Sequence, residues 1–169
     1  MSACCSTESS CAAAAAKPVA GTKTNCPRCD QPGQAVALQT LKHQVKPEYL
    51  ETVEVGAFNF CRTATCEVVY FHDSDIILTK VDVRQRIGLK EAEDPVPICY
   101  CFGFTEAMAT EEIQATGKCT IPQRITAEVK KGNCACEIRN PQGSCCLGNV
   151  TAAVKRAMAR RAAEVSQSH

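Results

Sequence analysis

Cys99-Tyr100-Cys101 opens, and Cys134-Ala135-Cys136 followed by Cys145-Cys146 closes, the stretch that decides how this chain is read. Between them, residues 105–131 carry two helical patterns. Thr105 is an N-cap followed by Glu106, and Met108, Glu112 and Ile113 lead to a stop at Thr116-Gly117. A second helix starts near Thr120 with Pro122 in its first turn; Ile121, Ile125 and Val129 recur on one face until Lys130-Lys131-Gly132. A C-x-C pair closes a disulfide poorly but aims two thiolates at one inorganic core. The other two ligands then come from the later cysteines. If Asn140-Pro141-Gln142-Gly143 is a turn joining two short extended pieces, Glu137 faces Cys146, and Cys136 comes near Cys146. Cys146 also opens the last helix, where the backbone dipole favours a thiolate. The set chosen is Cys99, Cys101, Cys136 and Cys146, with Cys134 competing for the third place and Cys145 for the fourth; Cys119, in the interhelix turn, stands aside. Four thiolates suit a [2Fe-2S] cluster or a second zinc alike.

The last helix spans roughly 148–163 and lines up Val150, Val154, Ala157 and Met158, leaving Lys155, Arg156, Arg160 and Arg161 on a solvated face. Upstream, residues 25–82 read as a small β-rich unit. Cys26-Pro27-Arg28-Cys29 is a knuckle followed by the turn residues Asp30 to Gly33. Strands are expected at Val36 to Leu41, at Phe58-Asn59-Phe60, at Glu67 to Phe71 and after Asp73-Ser74-Asp75, where Val81 and Val83 continue the alternation. Residues 88–97, charged and ending in Pro95 and Pro97, read as a linker. The fold class expected is α+β: a β-rich zinc-knuckle unit over 25–88 followed by a helical unit over 97–165 whose thiolates would hold the [2Fe-2S] cluster or second zinc.

Cys26-x2-Cys29 with Cys61-x4-Cys66 supplies a Cys4 set on two turns, for which Zn(II) is the default ion. His43 and His72 are the substitutes should one cysteine fail. With no open position such a site is structural. Residues 1–24 are rich in Ser, Ala and Thr and read as a disordered tail, whose Cys4, Cys5 and Cys11 form a candidate soft-metal arm for Cu(I).

Composition sets the context. Fourteen of 169 residues are cysteine, none is Trp, and formal net charge is +1. Near-neutral charge argues against nucleic acid as a partner, and no apolar run approaches the ~20 residues of a membrane span. No secretory pattern precedes the cysteines, so a reducing cytosol, with metal ligation in place of disulfides, is expected. No P-loop, nucleotide-binding glycine motif or nucleophile triad stands out, so the chain is not read as an enzyme.

The C-x-C, the helix pair and the helix-opening Cys146-Leu147-Gly148-Asn149-Val150 resemble the [2Fe-2S] domain of bacterioferritin-associated ferredoxins. Joined to the upstream knuckle, to Phe60-Cys61 and to Cys66-Glu67-Val68-Val69-Tyr70-Phe71, and with the final pair split by the insertion of residues 137–144, they resemble more closely the N-terminal domain of archaeal CopZ-type copper chaperones. The resemblance implies one zinc, one [2Fe-2S] cluster and a metallochaperone or electron-transfer role in copper or other soft-metal homeostasis, with reduction of Cu(II) to Cu(I) as a candidate step. Expected partners are soft-metal ions and a copper-transporting ATPase or other metal-trafficking protein. Those chaperones also carry an M-x-C-x2-C copper loop; none follows Cys146, which leaves the tail cysteines as the spare thiols. The competing reading is a structural module holding two zinc ions, without redox chemistry.

Overall fold

The computed structural model describes residues 24–167. The tail cysteines Cys4, Cys5 and Cys11 lie outside them. A four-stranded antiparallel meander forms first: β1 (Gln34–Val36), β2 (Phe58–Phe60), β3 (Val68–Phe71) and β4 (Ile77–Thr79), with Gln34 opposite Phe60, Phe60 opposite Tyr70 and Val68 opposite Thr79. All four residues of β3 are buried. A register shift between Val68 and Tyr70 accompanies a division of the strand. Val69 and Tyr70 join the main apolar cluster with Phe58, Phe60 and Leu41, whereas Val68 and Phe71 pack beside Cys26, Cys61 and Cys66.

The expected strand at 36–41 ends at Val36. Leu38–Gln44 is instead helix α1, entered from an extended Ala37. Alternation of Val36 with Leu38 suggested a strand, yet the buried residues are Thr40, Leu41 and Gln44, which follow helical spacing, while Leu38 is exposed. The alternation beyond β4 also fails: Val83 is buried and pairs with Val45, but Val81 sits at the following turn, 72% exposed. Within the expected linker, residues 88–97, the two ends are packed, with Lys90 and Val96 buried, while residues 92–95 are exposed. The segment contains a 3-10 turn, Gly88–Lys90, and feeds β5 (Pro97–Cys99).

β5 pairs with the short β6 (Phe104–Thr105), and four helices follow: α2 (Glu106–Thr116), α3 (Ile121–Lys130), α4 (Cys136–Arg139) and α5 (Leu147–Gln167). Thr105 caps α2 by accepting from the Met108 N–H, and Gly117 ends it with φ +77°. Ile121 and Ile125 enter the second apolar cluster with Val129 against it. On α5 the buried stripe is Val150, Ala153, Val154 and Ala157; Met158, expected beside them, is 44% exposed. The two alanines let α2 approach through Ala109, which centres the contact away from Met158. The extended hairpin expected around residues 140–143 is absent, because Cys136–Arg139 is a single helical turn and residues 140–146 are loop. No helix among the described residues is long and apolar enough to cross a membrane.

Two of the basic residues on α5 are committed. Arg156 and Arg160, one turn apart, both reach Glu106, at 3.2 and 3.0 Å, and tie α5 to the start of α2. Burial alone would raise the Glu106 carboxyl, but the two guanidinium groups outweigh it and hold the carboxyl below its usual 4.5. A depressed carboxyl contributes stability above its unfolded-state value and loses it as acid protonates the folded form. Glu106→Gln is therefore expected to lower stability by roughly 0.5–1 kcal/mol at pH 7. The gap between variant and wild type should close as pH falls through the acid range below 4.5, measured as urea midpoints across pH.

Candidate metal centres

The first centre is assembled from two turns beside the sheet. The knuckle is held by backbone bonds from Cys26 N–H to Gln31 O and from Asp30 N–H to Cys26 O, with Asp30 at φ +55°. Cys61 follows β2 directly, and the Cys66 N–H closes its loop on Thr63 O at 3.2 Å. The sulfurs of Cys26, Cys29, Cys61 and Cys66 all lie within 4.8 Å of one another. Two edges, Cys26 to Cys66 and Cys29 to Cys61, measure 3.9 and 3.7 Å. A tetrahedron with Zn–S bonds of about 2.3 Å has edges of about 3.8 Å, so the donor set fits a closed thiolate zinc site. Neither histidine joins it. His43 is exposed, and His72 turns its ring to Phe58 and its Nδ1 to Ser74 and Asp73.

Charge is distributed unevenly over these sulfurs. The Thr63 hydroxyl, 3.3 Å away, brings Cys29 down to about 6, whereas burial pushes Cys26 up to about 12 and raises Cys66. Metal binding must expel whatever protons these thiols carry.

Lys90 is a participant that the sequence did not disclose. It is 6% exposed, and its ammonium donates to Thr63 O at 2.7 Å and to Cys66 O at 3.0 Å, over the face of Phe60. Both carbonyls belong to the loop between the third and fourth thiols, so a buried cation sits beside a ligand set that stays anionic around Zn(II). A lone lysine in a charged, proline-bounded segment carries no local signal for this role; only the packing of residues 88–90 reveals it. Lys90→Met keeps the apolar stem, strands two carbonyls, and is expected to cost roughly 2 kcal/mol and to speed zinc transfer to a chromogenic chelator. Wild-type transfer and melting in that variant would count against the role.

The second centre gathers Cys99 at the end of β5, Cys101 in the following turn, Cys136 at the first residue of α4 and Cys146 just before α5. Cys101 and Cys136 approach to 3.6 Å. The Cys146 thiol hydrogen-bonds the Cys99 sulfur, which brings Cys99 down to about 6 and, with burial, pushes Cys146 far up. Burial pushes Cys136 to about 12. Of the competitors, Cys145 is exposed, while Cys134 is half-buried two residues before α4. Cys119 faces Glu112 at 3.6 Å. Among the described residues, no three of these downstream sulfurs lie within 4.8 Å of one another, in contrast to the first centre.

Comparison with known proteins places both centres in context. A family model described as zinc binding domain (zf_CopZ) matches residues 23–84. The copper chaperone CopZ of Archaeoglobus fulgidus is 36% identical over 121 residues, which is 72% of this chain and 57% of the relative; the chain thus spans little more than half that protein's length. The X-ray structure of the Archaeoglobus fulgidus CopZ N-terminal domain superposes with a TM-score of 0.62 at 34% identity, covering 72% of this chain and 91% of that one.

Proposed function

This chain belongs to the CopZ family through a zinc-binding, CopZ-type N-terminal domain, and on that premise we propose that it handles copper or another soft metal with two thiolate centres. One is structural zinc on Cys26, Cys29, Cys61 and Cys66. The other is a [2Fe-2S] cluster on Cys99, Cys101, Cys136 and Cys146. The observation that carries the cluster assignment is the spread of sulfurs. A single ion needs four mutually adjacent donors, as the first centre offers, whereas in the second Cys101 and Cys136 stand 3.6 Å apart and Cys99 and Cys146 are buried together in one apolar cluster, a spread of donors that suits a dinuclear core better than one ion.

Bound there, such a cluster supplies one-electron chemistry, for which reduction of Cu(II) to Cu(I) is the reaction that suits copper handling. The protein's part is positional. Cys99 and Cys146 are buried against Ile98, Phe104 and Val150, which keeps water from one side, while half-exposed Cys101 gives a partner access at the other. A reducing cytosol would keep the thiols available for metal, and a metal-trafficking protein is the natural partner for the exposed edge.

Iron, sulfide and zinc analysis of anaerobically purified chain, with its visible spectrum, tests the reading. One zinc, two irons and a red-brown colour are expected. Two zinc ions and a colourless protein would replace it with the structural two-zinc module. Rapid mixing of reduced protein with Cu(II) then tests the redox step: the cluster should reoxidise as Cu(I) forms. If the tail cysteines scavenge soft metal, deleting residues 1–20 lowers Cu(I) stoichiometry and leaves zinc and iron unchanged.

A further inference from the structure

We propose that the zinc-binding unit is the template for the iron–sulfur site: its side chains hold the loop of residues 137–144, and so place Cys136 and Cys146. The inference rests on the cluster assignment above and extends it to residues outside the ligand set.

The starting point is a physical problem in the loop. Helix α4 is four residues long, so its last carbonyls have no helical partner. The zinc-binding unit supplies them. Thr40 on α1 donates to Glu137 O at 2.6 Å, Gln44, one turn on, donates to Ile138 O at 2.8 Å, and Gln85 donates to Arg139 O at 2.8 Å. Beyond the helix, the Tyr70 hydroxyl on β3 donates to Pro141 O at 2.7 Å, and Gln34 on β1 donates to Gln142 O at 3.0 Å and Ser144 Oγ at 3.2 Å. A run of backbone carbonyls between two cluster ligands is thus read by side chains that lie 54 to 108 residues away in sequence.

These donors have little other reason to be polar. Thr40 and Tyr70 are fully buried and Gln44 nearly so, and a buried hydroxyl or amide is costly unless bonded. Tyr70 sits among Phe58, Phe60 and Leu41, where phenylalanine would pack equally well were it not for Pro141 O. The loop is shaped to match. Asn140, fully buried, bonds Gln142 N–H and Ser144 O, which folds the loop on itself. Gly143 at φ +64° lets the backbone close on Thr40, whose Oγ1 a Cβ would meet at 2.8 Å. The insertion that splits the final cysteine pair is therefore the part that docks on the zinc-binding unit. Zinc holds the sheet and α1 in shape, and they in turn hold Cys136 and Cys146.

The test uses full-length, anaerobically purified chain carrying Thr40→Val with Tyr70→Phe, substitutions that remove two hydroxyls with little change of volume. Three things are measured: iron loss to an iron chelator, visible circular dichroism, and hydrogen exchange of the amides of residues 136–146. Iron loss should be about tenfold faster, the dichroism should change, and exchange at 136–146 should rise. Zinc should stay at one per chain with exchange in β2 and β3 unaltered. Thr40→Ser, which keeps the hydroxyl, should behave as wild type. Wild-type iron loss, dichroism and exchange in the double variant would overturn the template. Should that variant not fold, Tyr70→Phe alone decides, since unchanged iron loss and exchange there overturn it equally. A wild-type chain that binds zinc but no iron overturns the cluster assignment and the template's role with it; a red-brown wild type with an indifferent double variant overturns the template alone.

Discussion

Cys26→Ser or Cys29→Ser is expected to yield a chain without stoichiometric zinc and without a cooperative melt. The magnitude follows from two comparisons. Structural zinc on thiolates contributes on the order of 10–16 kcal/mol in small domains, while a domain's whole net stability is about 5–15 kcal/mol. The apolar support here is modest: Val68 and Phe71 are the buried apolar side chains packed with Cys26, Cys61 and Cys66, and Ile77 lies at the margin. Serine also leaves a buried hydroxyl at Cys26, where the surroundings favour an uncharged group, and it removes at Cys29 the thiol that Thr63 helps to ionise. The two variants should thus fail alike in zinc content. Zinc release to a chelator and differential scanning calorimetry measure both effects. Full zinc with a wild-type transition would remove Cys26 or Cys29 from the ligand set. If the zinc-binding unit templates the loop of residues 137–144, the same variants should also be pale, though neither residue is among the proposed cluster ligands.

What could be read in advance divides by the range of the interaction. The two cysteine pairs of the first centre, the Thr105 cap, the Gly117 stop and the Ile121–Ile125 face each depend on residues within one turn or one short spacing, and the structure has them. Errors arose where a local pattern had two solutions. Val36-Ala37-Leu38 alternates as a strand would, but Thr40, Leu41 and Gln44 need a helix to reach the core together. Asn140-Pro141-Gln142-Gly143 is turn chemistry in either a hairpin or a loop after a helical turn; the choice falls to Thr40, Gln44 and Gln85, which cap the carbonyls of α4. The burial of Lys90 and the polarity of Tyr70 have no local signature, because each is explained by an acceptor on a different element. Membership of the second thiol group was open for the same reason. Four cysteines between residues 134 and 146 offer several pairs, and their surroundings differ: Cys136 and Cys146 are buried, Cys134 half-buried and Cys145 exposed.

That difference makes a sharp prediction. Cys136→Ser should lose most of the visible absorbance and iron, whereas Cys134→Ser should keep wild-type colour. The two residues are a dipeptide step apart, yet their surroundings differ. Cys136 is buried at the first position of α4, with its sulfur 3.6 Å from Cys101. Cys134 lies before the helix, half-buried, in a segment that begins at Gly132 with φ +77° and whose Asn133 is bonded back to Glu128 on α3. For Cys134 to replace Cys136 the chain would have to unwind α4, which would withdraw Glu137 O and Ile138 O from Thr40 and Gln44. The cost of stranding those buried donors, about 1–3 kcal/mol each, opposes the exchange and should keep Cys134 from rescuing the variant. The same logic applies at the second doublet: Cys145 is exposed and Cys146 is buried against Cys99, so Cys146→Ser should bleach and Cys145→Ser should not. Iron per chain and visible spectra of the four serine variants, each with its zinc content as a control for folding, measure this. Colour lost in Cys134→Ser and kept in Cys136→Ser would transfer the third ligand to Cys134 and require a different path for residues 133–139.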